Sequence, residues 1–205
     1  MVRYAPCIKV GKIKASYCFS RMRQTRTIGF LALLATTGLL GFTATAGATT
    51  ATATLAAGSL AFVSAPPSVA FSSTLTGLDQ TSNTNQPLDV SDATGSGAGW
   101  NLTATSTTFT SGSHTMANNA TTIGASPAQA CDAGASCVLA TNSVSYPYSL
   151  PAGATAPTAT KLYNAATNTG QGDQTITPTW SLVFGAYAFA GSYTSTWTIS
   201  LVSGP

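Results

Sequence analysis

The chain has 205 residues and only 13 charged ones, 8 Lys or Arg and 5 Asp, with no Glu. Every base except Lys161 lies in the first 26 residues and every acid after residue 78, so the net charge of +3 conceals a basic start and an acidic body. That segregation excludes a nucleic-acid binder, because one lysine cannot build a basic patch. Frequent aromatic and β-branched residues at low charge exclude a disordered chain.

The first element in chain order is an export signal. Arg23 and Arg26 precede the apolar run Ile28 to Phe42, and Ala46-Gly47-Ala48 supplies the small residues of a cleavage site. The run is 15 residues, shorter than the ~20 needed to span a bilayer, and it contains two Thr and three Gly. The competing reading is an uncleaved anchor. Met22 is a candidate initiator, since Met22-Arg23-Gln24-Thr25-Arg26 would be an ordinary signal start. The expected organisation is an N-terminal extension and helical signal segment over 1–48 and one domain over 49–205. The mature part would hold one Lys and five Asp, a formal charge of −4, and no membrane contact would remain after cleavage.

The body reads as all-β. Thr and Ser supply 50 residues from Thr49 onward, which favours strands over helices. Short strands are expected at Ser59–Ser64 and Ser68–Leu75, on either side of Pro66-Pro67, and at Leu88–Val90. A glycine-rich turn, Gly95 to Gly99, leads into the alternating Trp100-Asn101-Leu102-Thr103-Ala104. Residues 111–136 show no clear period and read as a long loop. Cys131 and Cys137, with five residues between them, should form a local disulfide in an oxidising compartment; a metal pair is weak, because His114 is the only His. Val144, Tyr146, Tyr148 and Leu150 alternate through Pro147. Ile176 to Phe184 and Tyr193 to Leu201 alternate strictly, and the Gly-bounded connection 185–191 suggests that they form an antiparallel hairpin. Pro178 suggests an irregular edge. The expected fold is an antiparallel β-sandwich, Ig-like or Greek-key-like.

Catalytic constellations are sparse. His114 with a Ser and an Asp would make a triad on paper, but it sits in the flexible stretch Ser111-Gly112-Ser113-His114-Thr115. Asp89 and Asp92 could be a glycosidase pair, a calcium site or simply strand-end turn residues. Lys161 near Asn164 could form an isopeptide or lie solvated. The expectation is no enzyme, no cofactor and no metal site, with a secreted hydrolase kept as an alternative.

Leu88-Asp89-Val90-Ser91-Asp92, the glycine turn and Gly99-Trp100-Asn101-Leu102-Thr103-Ala104 together resemble the first signature of the WxL domain family. Tyr193-Thr194-Ser195-Thr196-Trp197-Thr198-Ile199-Ser200 resembles the second, and Trp180-Ser181-Leu182 matches the letters. Two departures stand out. Ala93-Thr94 replace the Arg that commonly follows the aspartate, and the last motif is W-x-I. The chain is similar to the high-GC Gram-positive type. The resemblance implies a secreted surface protein, held non-covalently on the cell wall by peptidoglycan or an associated wall polymer, with other surface proteins as further partners. No C-terminal sorting motif or hydrophobic tail follows, which agrees with non-covalent retention. The alternative is a structural subunit joined to a surface assembly by β-strand addition. The motif points to Trp100, Leu102, Trp197 and Ile199 as binding residues. Strand geometry offers a plainer role, since each pair lies on the apolar parity of its strand and would pack in the core. Binding would then fall to exposed side chains such as Asn101, Thr103 and Tyr187.

Overall fold

The computed structural model describes residues 47–205. The expected signal segment, 1–48, lies outside the described residues except for its last two positions. Among the described residues there are fourteen strands and no helix. Three four-stranded sheets carry the fold. The first sets β1 (Leu60–Phe62), β3 (Leu88–Asp92), β12 (Gly172–Thr177) and β8 (Ala128–Cys131) side by side. The second sets β2 (Gln80–Asn85), β13 (Thr179–Phe184), β7 (Thr121–Ile123) and β9 (Tyr148–Ser149) side by side.

The third sheet is built on β4 (Trp100–Thr107). β14 (Trp197–Ser203) pairs along one side of it, and β11 (Thr160–Ala165) and the short parallel β10 (Ala152–Gly153) pair with successive stretches of the other. A small hairpin, β5 (Thr110–Ser111) and β6 (His114–Thr115), turns at Gly112. All pairings except β10 with β4 are antiparallel.

Two prolines join the first two sheets. β2 continues into β3 across Gln86-Pro87, and β12 into β13 across Pro178, while the two strands stay paired on either side: Ile176 opposite Leu88, Thr179 opposite Asn85. Proline lacks the N–H that an unbroken ladder needs, so the ribbon bends here and passes from one sheet to the other. The Gln86 N–H donates to the Pro178 carbonyl at 3.1 Å and closes the bend. The expected continuous strand from Ile176 to Phe184 is thus two strands in two sheets. Its parity survives: Ile176, Trp180 and Leu182 are all buried.

The three sheets share one core. Leu88, Val90 and Ile176 from the first, Ile123, Tyr148 and Trp180 from the second, and Trp100, Leu102, Ala104 and Leu162 from the third form a single cluster. Each large apolar side chain buried there contributes about 1.5–3 kcal/mol relative to exposure. This sandwich-like arrangement is the all-β architecture the alternation predicts.

Four local expectations differ. β13 and β14 do not form a hairpin: β2 and β7 already occupy both edges of β13, so the chain crosses to the third sheet and pairs with β4, Leu201 opposite Leu102. Residues 111–136 are not one loop, since they supply β6, β7 and β8. β7 has only three residues, too few for a readable period, yet Thr121 and Ile123 are both buried. Residues 68–75 belong to no sheet, although Val69 and Phe71 pack against the core. In the run from Val144 to Leu150 only Tyr148–Ser149 is a strand.

Candidate functional site

The four motif residues separate into two environments. Trp100 and Leu102 have no exposed surface. The turn before Trp100 brings it against β11: Gly99 has φ +76°, and a Cβ there would lie 2.3 Å from the Ala165 carbonyl oxygen, so only glycine fits. The Trp100 indole N–H donates to the Gly170 carbonyl at 2.8 Å, and its ring lies tilted against Tyr163 at 6.1 Å. Burial pushes the Tyr163 hydroxyl up to about 12, and that hydroxyl donates to Gln129 at 2.8 Å. Trp100 and Leu102 therefore pack the core.

Trp197 and Ile199 are half-buried on β14 and pack against the edge of the core cluster. They floor a cleft of about 610 Å³ whose walls include Pro66, Pro67, Val69 and Phe109. Trp197 meets Trp180 edge-on at 4.8 Å, and Phe71 and Phe109 each at 6.3 Å. One part of its ring is thus held by aromatic neighbours while another borders solvent.

Gln86, which sequence reasoning passed over, assembles this cleft. Its side chain is buried at the proline bend. Its carbonyl oxygen accepts the Trp180 indole N–H at 2.9 Å, and its amide donates to the Pro67 carbonyl at 2.6 Å. One residue thereby orients the ring beneath Trp197 and ties down the Pro66-Pro67 wall. The only sequence signal was a polar residue beside Pro87 between two alternating runs. Among the described residues, none lining the cleft carries a charge.

The remaining candidates are dispersed. Asn101 is not exposed: its amide donates to the Gly204 carbonyl on the outer face of β4, and Thr103 is half-buried. Tyr187 is 96% exposed. Asp92 is a turn residue, accepting from the Thr94 N–H at 3.0 Å and the Thr94 hydroxyl at 2.7 Å. Asp89 points away from Asp92 by strand parity and shares its face with Asp132. Burial raises its carboxyl above the ordinary range, and a hydrogen bond with Asp132 and repulsion from Asp132 and Asp173 add to the effect. One Asp89 oxygen is buried without a hydrogen-bond partner.

His114 stacks on Phe189 at 3.8 Å. These two rings and Asp79 line a second cleft, separate from that of Trp197, and Asp79 accepts the Ala186 N–H at 2.7 Å. Lys161 is exposed on β11. Among the described residues, no group of three His, Cys, Asp or Glu side chains is placed to hold a metal ion.

Cys131 and Cys137 are bonded to each other, with their Cα atoms 5.6 Å apart. The enclosed loop lies along β12: the Asp132 N–H donates to Asp173 at 3.1 Å, and the Thr175 hydroxyl donates to the Asp132 carboxylate at 2.6 Å.

No curated protein and no solved structure matches the chain. Among protein families, residues 23–199 match WxL, described as a WxL domain, surface cell wall-binding. The match spans most of the chain, including the glycine turn with Trp100 and the Trp197-Thr198-Ile199 motif. The chain therefore belongs to the WxL family of cell-wall-binding surface domains, and its place is the extracellular surface of the cell wall.

Proposed function

We propose that this protein is a non-catalytic module that holds peptidoglycan through the cleft floored by Trp197 and Ile199. The observation that carries this reading is the half-buried Trp197 lining a cleft in which, among the described residues, no side chain is charged. Sugar rings present apolar C–H faces edged by hydroxyl groups. An aromatic floor with polar, uncharged walls suits them, as in other small-ligand clefts. The acidic body argues in the same direction, because a part carrying one Lys and five Asp has little attraction for anionic wall polymers. Export would come from the segment over 1–48, with cleavage after Ala48.

The test is co-sedimentation of the protein with peptidoglycan sacculi, with and without attached teichoic or other secondary polymers. Binding should persist on stripped sacculi and weaken only mildly with salt. Complete release by moderate salt, or a requirement for the anionic polymer, would overturn it.

A structural subunit joined by strand addition is the second reading. It has one observation in its favour: β8 is an edge strand, and all four of its residues are exposed. Concentration-dependent assembly in the absence of glycan would support that reading.

A further inference from the structure

A second cleft, about 630 Å³, lies where β6, the end of β13 and the connection 185–191 meet. Its character is aromatic. The rings of His114 and Phe189 stack face to face, 13° apart with centroids at 3.8 Å, so each covers one face of the other and the outer ring face of the pair forms the stacking platform. Phe189 is 61% exposed and Tyr187 96% exposed. Such rings usually withdraw from water, yet here the chain that bears them is pinned in an outward position. The Ala188 N–H donates to Gly185 at 3.0 Å, the Ala186 N–H to Asp79 at 2.7 Å, and the Tyr193 hydroxyl to the Phe189 carbonyl at 3.0 Å. Exposed aromatic rings on a fixed loop are preorganised for contact, because little conformational freedom remains to be lost on binding.

Tyr193 lines this cleft and the Trp197 cleft alike, and a third depression along Phe71, Met116 and Phe184 also includes it. The surface is therefore continuous from Trp197 past Tyr193 to Phe189. Its charge is low: among the described residues, Asp79 is the only carboxylate lining the second cleft, and no Lys or Arg lines either one. A phosphate-bearing polymer would find no counter-charge. An uncharged pyranose would find a ring to stack on, with Ser113, Asn119 and Tyr193 to meet its hydroxyl and N-acetyl groups.

We propose that the His114–Phe189 platform with Tyr187 is a second sugar subsite, joined through Tyr193 to the Trp197 cleft, so that one neutral strand of N-acetylated hexosamines lies across both. This assignment rests on the peptidoglycan reading and narrows it to the glycan strand, not the peptide stems.

The test uses the full chain and β-1,4-linked N-acetylglucosamine oligomers from dimer to hexamer, titrated by calorimetry, with sacculus co-sedimentation in parallel. Affinity should rise with oligomer length. Tyr187→Ser and Phe189→Ala should keep the wild-type unfolding midpoint and bind the dimer normally, while each weakens the hexamer roughly three- to tenfold. Affinity independent of length, or variants that bind hexamer as wild type does, would overturn the subsite. If sacculi are bound and the hexamer is not, the glycan assignment falls and the peptidoglycan reading stands. If neither is bound, both fall. Binding of isolated teichoic acid that Tyr187→Ser abolishes would overturn the preference for a neutral glycan.

Discussion

Replacing Trp100 and Trp197 in turn separates packing from recognition. Trp100→Ala removes a ring with no exposed surface and leaves the Gly170 carbonyl without its indole donor. The cavity costs ~3–5 kcal/mol, and an unsatisfied buried carbonyl adds ~1–3 kcal/mol. Against a typical total of ~5–15 kcal/mol the domain should be barely folded or unfolded. Trp197→Ala removes a half-buried ring whose losses are edge contacts with Trp180 and Phe109 and a tilted contact with Phe71. About 2–3 kcal/mol is expected, because only part of the ring is transferred from water on folding.

The two motif tryptophans, which the sequence pattern treats alike, should therefore differ by at least about 1 kcal/mol. Urea unfolding measures the difference, and sacculus co-sedimentation of the folded fraction measures binding. Trp197→Ala should stay folded and lose binding. If Trp100→Ala keeps its unfolding midpoint and loses binding, Trp100 touches the ligand and the core assignment fails. If Trp197→Ala costs as much as Trp100→Ala and its folded fraction still sediments, the cleft is not the binding surface.

Gln86→Ala leaves the buried Trp180 indole N–H unpaired, at ~1–3 kcal/mol, and releases the exposed Pro67 carbonyl to water, and should weaken sacculus binding beyond its effect on stability; unchanged binding by the folded fraction would remove Gln86 from the cleft's support. Asp89 gives a pH dependence with a definite sign. Its folded value lies above its unfolded one, so its contribution favours folding below the ordinary carboxylate range and is lost as pH rises through the folded value. Asp89→Asn should thus raise the melting temperature at pH 7 and flatten its pH dependence from pH 4 to 7, and a lowered melting temperature at pH 7 would contradict the burial and repulsion invoked. Alkylation without reductant should leave Cys131 and Cys137 unlabelled, and Cys131→Ser should cost no more than ~2–2.5 kcal/mol, because the closed loop is short. Sequencing of wall-extracted protein should begin at Thr49; a chain that retains Ile28 to Phe42 would favour an anchor.

Local chemistry accounts for what the sequence alone determined. Period-2 alternation assigned the all-β class and the buried parity of Trp100, Leu102, Ile176, Trp180 and Leu182, since successive side chains in a strand face opposite sides whatever the strand pairs with. The glycine turn, the Asp92 turn and the Cys131–Cys137 pair were legible for the same reason, each resting on residues close together in the chain. Strand partnership was not legible. Alternation in 176–184 and 193–201 says that both are strands but not that β2 and β7 fill the edges of β13 and send β14 to β4. Nor does it say that Pro178 and Pro87 bend together and move a paired ribbon between sheets. The candidate site divides along the same line. Four motif residues were named from their letters, but only the packing of three sheets decided that Trp100 and Leu102 lie inside while Trp197 and Ile199 face a cleft. Gln86 was invisible for the same physical reason: its partners, Pro67 and Trp180, are 19 and 94 residues away, and a hydrogen bond of that span leaves no periodic mark in the sequence.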